Sequence, residues 1–341
     1  MKVVFRVDAS LKMGIGHLMR CLTLANELRG QKHEIFFICS DLIGNLISKI
    51  QYPVYILPRD EKFSSENVYL DWLGSTTEYD SEQTIKVIPK NTDLLVIDSY
   101  ALDKSWHREL RPFTKKIMVI DDLANKHFDC DILLNQNLGA AISHYSDKVP
   151  DDCKLFLGPK YSLLRSEFSD LRQAAIKKRK ETKLIKNILI SMGGIDSENI
   201  TYNILNDISK NYNIAVVLGG MSPHNSMIKE YAKSKNNIKV YIDCDNLAKL
   251  MLDADLAIGA GGSTTWERCC LGLPTLLFVL SENQRNISNN LEQLGAVKIV
   301  KNIKIDVQFL NENFQIWKDM SSKAQSVTDG NGTKRIVYDR N

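Results

Sequence analysis

The chain has little that would commit it to a metal, a membrane or a polyanion. Its seven cysteines, at positions 21, 39, 130, 153, 244, 269 and 270, form no CxxC pair. An odd, scattered set of thiols suits reduced cysteines in a cytosolic protein and argues against a zinc site. No apolar run approaches the ~18 residues of a spanning helix. Asp8 and Lys12 interrupt any leader-like stretch near the start. A cytoplasmic protein with no stable membrane association is therefore expected. Neither charge sign is in excess: 44 Lys and Arg stand against 41 Asp and Glu, a net +3. Nothing in that balance calls for nucleic acid. The basic run Lys177-Lys178-Arg179-Lys180, with Lys183 and Lys186, reads as a solvated face or an interdomain linker. Repeats, low-complexity tracts and a P-loop are likewise missing from the sequence.

What is present is an alternation. With 341 residues, 44% hydrophobic and 25% charged, the chain is sized for about two globular domains at ~150 residues each. Short apolar runs alternate with helical patterns, the mark of parallel α/β architecture. The first half offers strands at Val3–Val7, Glu34–Cys39, Val54–Leu57, Leu94–Asp98, Lys116–Ile120 and Ile132–Asn135. Helical patterns lie around Leu18–Arg29, Leu42–Lys49, Ser81–Ile88 and Lys104–Arg111. A second series runs from Ile188–Ser191 through Ile214–Leu218, Ile238–Ile242, Leu256–Gly259 and Thr275–Val279 to Val297–Val300. The expected fold is α/β: two Rossmann-like doubly wound domains facing a cleft, with ligands at the carboxyl ends of both sheets. The expected domains are 1–165 and 185–320, with 321–341 a C-terminal helix or tail.

Candidate chemistry falls on the strand ends. Gly14-Ile15-Gly16-His17 follows the first strand and opens a helix. Two glycines permit a tight turn and close approach to a ligand. A histidine in the first turn, beside the partial positive charge of a helix N-terminus, is either a neutral general base or a capping residue. Ser191-Met192-Gly193-Gly194 follows another strand; its turn either exposes backbone N–H groups to phosphate or merely reverses the chain. In Gly261-Gly262-Ser263-Thr264-Thr265-Trp266-Glu267, Ser263 and Thr264 offer N-cap oxygens. Glu267 is spaced to accept two hydrogen bonds from a vicinal diol such as a ribose, or simply to complement the helix dipole. Ser281-Glu282-Asn283-Gln284-Arg285-Asn286 reads as a sugar- and phosphate-facing loop or as the polar start of an exposed helix. Tyr100 ends a strand, a position where packing is the commoner role. Asp121-Asp122 lack a third ligand at metal-site spacing, and hydrogen bonding to loop backbone is the favoured reading. The remaining histidines, 33, 107, 127, 144 and 224, read as structural or exposed.

These motifs carry a resemblance. Arg6-Val7-Asp8-Ala9-Ser10, Gly14-Ile15-Gly16-His17, Arg20, Ile97-Asp98-Ser99-Tyr100 and Ile120-Asp121-Asp122-Leu123 belong to it. So do Asp129–Asn137, Gly158–Arg165, Ser191–Gly194 and Asn283-Gln284. Together they resemble the UDP-2,4-diacetamido-2,4,6-trideoxy-β-L-altropyranose hydrolases of pseudaminic acid biosynthesis. Gly259–Arg285 is also similar to the peptidoglycan glycosyltransferase that adds N-acetylglucosamine to lipid I, and both families have the glycosyltransferase-B fold. The resemblance implies that His17 is the catalytic base, that Tyr100 lines the active site and that Asn283 contacts substrate. It implies Glu267 on the ribose and Ser263, Thr264 and Thr265 near the diphosphate. Asp8, Gly14, Gly16, Arg20, Gly193, Gly194, Gly262 and Gln284 are expected among the substrate-binding residues. The implied reaction is hydrolysis of the anomeric C–O bond with inversion, releasing UDP and the free sugar. Its only partners are the UDP-sugar and water, with no metal or cofactor, and a monomer is expected. The alternative is a glycosyltransferase of the same fold using a UDP-amino sugar donor. Residues 52–81 and the stretch after about Val300 match no motif and receive no role.

Overall fold

The structure, a computed structural model, describes residues 1–10, 12–59, 62–208, 211–301, 305 and 307–339. The chain divides into two compact units, Met1–Leu163 with a C-terminal segment from Gly332, and Leu164–Asn331.

The first unit contains β1 (Lys2–Val7), α1 (Gly16–Gly30), β2 (Glu34–Ser40), β3 (Val54–Leu57), α2 (Val68–Leu73), α3 (Thr77–Val87), β4 (Thr92–Asp98), α4 (Lys104–Leu110), β5 (Thr114–Ile120), β6 (Ile132–Asn135) and β7 (Lys154–Leu157). Its seven strands are parallel, in the order β3-β2-β1-β4-β5-β6-β7. Helices cover both faces of such a sheet, so the central strands are apolar nearly throughout. Val3, Val4 and Phe5 of β1 are fully buried, as are Leu95 and Val96 of β4. Strand order reverses between β1 and β4, and the chain ends leaving those two strands lie side by side, with Val7 opposite Asp98. That switch point is where doubly wound sheets bind ligands.

The second unit contains α5 (Ser166–Glu181), β8 (Asn187–Ser191), α6 (Ile200–Asp207), β9 (Asn213–Leu218), α7 (Asn225–Lys233), β10 (Ile238–Ile242), α8 (Leu247–Asp253), β11 (Leu256–Ala260), α9 (Thr264–Cys270), β12 (Thr275–Phe278), α10 (Glu282–Leu294), β13 (Lys298–Ile299), α11 (Val307–Glu312) and α12 (Phe314–Gln325). Its parallel order is β10-β9-β8-β11-β12-β13, with the reversal between β8 and β11. The sheet packs around Ile188, Ile190, Val216, Ile258 and Trp317. α13 (Gly332–Asp339) returns to the first unit and packs on α1, with Ile336 and Val337 buried. The 321–341 segment, expected as one helix or tail, is thus shared: α12 ends in the second unit and α13 belongs to the first.

Three local expectations need correction. Leu42–Lys49 is not an α-helix; only Ile47–Lys49 forms a short 3-10 turn. Gly44 sits at φ +73°, and the Asn45 side chain accepts from Ile47 N at 3.1 Å while donating to Leu42 O at 3.0 Å. These local bonds compete with helical ones. The segment 52–81 carries an unforeseen helix, α2, capped by the Asn67 side chain at one end and by left-handed Gly74 at the other. The basic run is only partly solvated. Lys177 and Lys180 are exposed, but Arg179 is 1% exposed and donates to Met251 O and Ala254 O at the end of α8. Those carbonyls have no helical partners, and the cation satisfies them. Among the described residues no helix is long and apolar enough to cross a membrane.

Candidate functional site

In the first unit, the turn after β1 closes on itself: Gly14 N donates to Ser10 O at 2.9 Å, and Gly14 lies at φ +79°. A β-carbon there would be strained, which explains this glycine. Gly16 has no positive φ; it is the first residue of α1. His17 follows it, 7% exposed. Its Nδ1 lies 2.6 Å from Asp98 Oδ1 at the end of β4. A carboxylate only accepts, so Nδ1 is the donor of this pair, and Nε2 is the ring nitrogen not engaged by it.

Asp98 is also the anchor of Arg20, one turn along α1. Arg20 Nε and Nη2 each donate to the Asp98 carboxylate at 2.6 Å, and Nη1 donates to Asp122 Oδ2 at 2.6 Å. Tyr100 donates its hydroxyl to the same Asp122 oxygen at 3.0 Å, and Asn137 Nδ2 donates to the other at 3.1 Å. The His17 and Tyr100 rings meet edge-on at 4.6 Å between centroids. Burial alone would raise the Asp98 carboxyl; Arg20 and His17 outweigh it and hold the group well below the usual carboxylate range. Burial, reinforced by Asp122, drives the Tyr100 hydroxyl well above its ordinary value, so it stays a donor. The loop bearing Tyr100 is pinned by Lys126, whose ammonium donates to the carbonyls of Ser99, Tyr100 and Leu102 at 3.2, 2.8 and 2.6 Å.

Several expected ligands in this unit have protein partners. Asp8 accepts from Ser40 N at 2.6 Å and pairs with Arg6 Nη1 at 2.8 Å. Arg6 is wholly buried and also pairs with Asp80, so Asp8 serves as a counter-charge within the core. Arg20 is a hub of ion pairs. Asp121 does hold loop backbone, accepting from Ala124 N at 2.7 Å; Asp122 instead completes the His17–Arg20–Tyr100 cluster.

In the second unit, the loops after β8 and β11 meet the reversal of strand order. Gly193 takes φ +87° and a β-carbon there would find nothing within 4 Å, so the loop presents open backbone. The helix beyond it begins six residues after Gly194, at Ile200, and its first N–H groups are already taken: Asp196 accepts from Ile200 N at 2.9 Å and Thr201 N at 3.0 Å. The Asp196 carboxylate thus already caps that helix end, while the backbone at Gly193 stays open. After β11, Gly262 is likewise open. Ser263 makes no side-chain cap, contrary to expectation, leaving its exposed hydroxyl at the loop surface. Arg268 lies beneath the loop, 1% exposed, donating to Ala260 O at 2.6 Å and Thr265 Oγ1 at 2.9 Å. Its guanidinium explains Gly259, where a β-carbon would sit 2.0 Å from Nη1.

Glu267 is the notable group here. Its Oε2 is buried without a hydrogen-bond partner, and Oε1 is 3.9 Å from Arg165 Nη2. Burial raises its carboxyl to about 7 despite the opposing charges of Arg165 and Arg268. A buried carboxylate oxygen without a donor is uncommon in a finished core. Gln284 Oε1 accepts from Leu280 N at 3.0 Å and so shapes its own loop. Asn283 lies in the first turn of α10, and its side chain is outside those described.

The sequence reading missed Asp98, Asp122 and Asn137. All three stand inside quoted motifs, but their partners come from α1 and from the ends of other strands, and only the strand order reveals the pairing.

Two doubly wound units of this order define the glycosyltransferase-B class, and residues 166–337 match the glycosyltransferase family 28 C-terminal domain. The structure of Acinetobacter baumannii MurG is similar over 99% of this chain and 98% of that one, with TM-score 0.63 and 15% identity. The chain is 32% identical over 297 residues to the UDP-2,4-diacetamido-2,4,6-trideoxy-beta-L-altropyranose hydrolase of Campylobacter jejuni, covering 86% of this chain and 97% of that protein. It is 33% identical over 299 residues to an uncharacterized protein of Methanocaldococcus jannaschii, covering 84% of this chain but only 57% of that longer protein. The chain belongs to the family of the Campylobacter hydrolase.

Proposed function

We propose that the protein hydrolyses UDP-2,4-diacetamido-2,4,6-trideoxy-β-L-altropyranose, breaking the anomeric C–O bond with inversion. The observation that carries this reading is the His17–Asp98 pair: an imidazole with Nδ1 held by a carboxylate 2.6 Å away and Nε2 free at a switch point. In the step, Nε2 takes a proton from water as the water oxygen bonds to the anomeric carbon. The bond from that carbon to the β-phosphate oxygen breaks, and its electron pair leaves with UDP. Asp98 stabilises the imidazolium that forms. The open backbone at Gly193 and Gly262, with the Ser263 and Thr264 hydroxyls, is suited to the diphosphate charge.

The test is turnover in ¹⁸O-water. Label in the sugar hydroxyl at C1 is the expected result; label in phosphate overturns it. The family 28 domain favours one rival, a glycosyltransferase. That reading wins if UDP is released only when an acceptor sugar is added.

Glu267 gives this reading a pH signature. Its carboxylate, not its carboxyl, accepts both ribose hydroxyls. With the free carboxyl near 7, UDP binding is expected to tighten as pH rises, approaching ~tenfold per unit below that value and levelling above it. Calorimetric titration of UDP between pH 5.5 and 8 (a roughly chosen window around the group's transition) measures it. Glu267→Gln removes this component, leaving only the change that UDP's own phosphate ionisation imposes on both proteins.

A further inference from the structure

Helix α2 lies in the segment to which no sequence motif gave a role, and it carries two aromatic residues, Tyr69 and Trp72, three positions apart and so on one face. Both are only partly buried. The Tyr69 ring stands 5.3 Å from the Tyr100 ring, that of Trp72 stands 6.2 Å from it, and the two are 5.6 Å from each other. Tyr100 in turn meets His17 edge-on at 4.6 Å. Three aromatic rings are therefore contiguous with the imidazole that the proposed reaction uses.

Helix α2 meets the apolar cluster of the first unit through different residues: Leu73, 4% exposed, belongs to the cluster, and Leu70 packs against it. Its ends are fixed independently: Asn67 caps the start, and Gly74 at φ +73° ends it where any β-carbon would lie 2.9 Å from Leu42 Cδ2. Asp71 pairs with Lys12 of the turn before His17 at 2.6 Å. A short helix held at both ends and tied to the base-bearing turn presents its aromatic face in a defined position.

Aromatic faces favour apolar C–H groups, and amphipathic rings with few torsions bind at low entropic cost. The sugar of the proposed substrate has a methyl at C6 in place of a hydroxymethyl, and two acetamido methyls. We propose that Tyr69 and Trp72, with Tyr100, form the wall that receives this apolar, 6-deoxy, N-acetylated face and selects it over hydroxylated sugars. This rests on the reading of the protein as a UDP-sugar hydrolase. One lost apolar contact typically alters discrimination by ~10- to 200-fold.

The experiment compares wild type with Trp72→Ala, Tyr69→Ala and Trp72→Phe. Each is tested for steady-state hydrolysis of the UDP-diacetamido-trideoxy sugar and for calorimetric binding of that sugar, UDP-N-acetylglucosamine and UDP alone. Trp72→Ala and Tyr69→Ala are expected to raise KM for the trideoxy sugar about tenfold or more. They should narrow its binding advantage over UDP-N-acetylglucosamine and leave UDP binding within about twofold. Trp72→Phe should restore most of the loss. Unchanged KM and unchanged selectivity in both alanine variants overturn the wall. So does an equal weakening of all three ligands, which marks a folding defect. If the wild type binds the trideoxy sugar selectively without hydrolysing it, the reaction is wrong while the wall is still tested by the binding ratios.

Discussion

Replacing His17 with alanine is expected to lower kcat by roughly 10²- to 10⁴-fold, the usual contribution of a positioned general base. UDP affinity should be unchanged, because the nucleotide-binding loops proposed here belong to the second unit. The fold should tolerate the change: Asp98 keeps both bonds from Arg20, at 2.6 Å each, so no buried charge is stranded. Steady-state kinetics, with UDP titrated separately, reads both quantities. His17→Ala with full hydrolysis would falsify the base assignment. Asp98→Asn should reproduce much of the loss in kcat, since the amide can donate to Nδ1 and so favour the wrong imidazole tautomer.

Arg20→Met carries the largest expected cost in stability. Arg20 is the shared partner of Asp98, which is fully buried, and Asp122, which is partly buried. Removing one member of a buried ion-pair cluster typically costs about 3–5 kcal/mol, because the remaining charges lose their compensation. For a chain of this size a Tm decrease of roughly 6–20 °C follows, at ~2–4 °C per kcal/mol. The pH dependence has a definite sign. The Asp98 carboxyl is held below its unfolded value, so its stabilisation is present above that unfolded value and is lost as pH falls toward the folded one. The Tm gap between wild type and Arg20→Met should therefore be widest near neutrality and shrink as pH drops below ~5. A constant gap from pH 7 down to ~3.5 would mean that the arginine acts by packing alone. Lysine should rescue poorly, because a single ammonium cannot reproduce three directed N–H bonds.

Much of the architecture was legible because it rests on local periodicity. Val3–Val7, Leu94–Asp98 and Leu256–Gly259 are apolar in runs that only a sheet covered on both faces explains. The Gly14–His17 turn was also legible, since its constraint is local. Partnerships were not. His17 and Asp98 are joined through parallel pairing of β1 with β4, and Asp122 arrives from the end of the next strand. Arg20 and Asp8 came to the substrate-binding set through the resemblance; the ion pairs that Arg20 makes with Asp98 and Asp122, and the Arg6 and Asp80 charges around Asp8, are set by the three-dimensional fold. Helix α2 is too short for a period to register, and its identity comes from its caps.

The return of α13 to the first unit has a consequence for synthesis. Helix α1, which carries His17 and Arg20, packs on β1 and β2 from the start but lacks its helical neighbour α13 until residues 332–339 have been made. Leu164–Asn331, continuous in sequence, has no such dependence. The segment emerging first is thus the one completed last, against the usual N-to-C order of domain folding. A chain cut before Gly332 would keep every residue proposed here for chemistry and binding, yet leave the base-bearing helix with an uncovered apolar flank. Fusions or tags near this end act on the unit that carries His17 and Arg20, however distant they look in sequence.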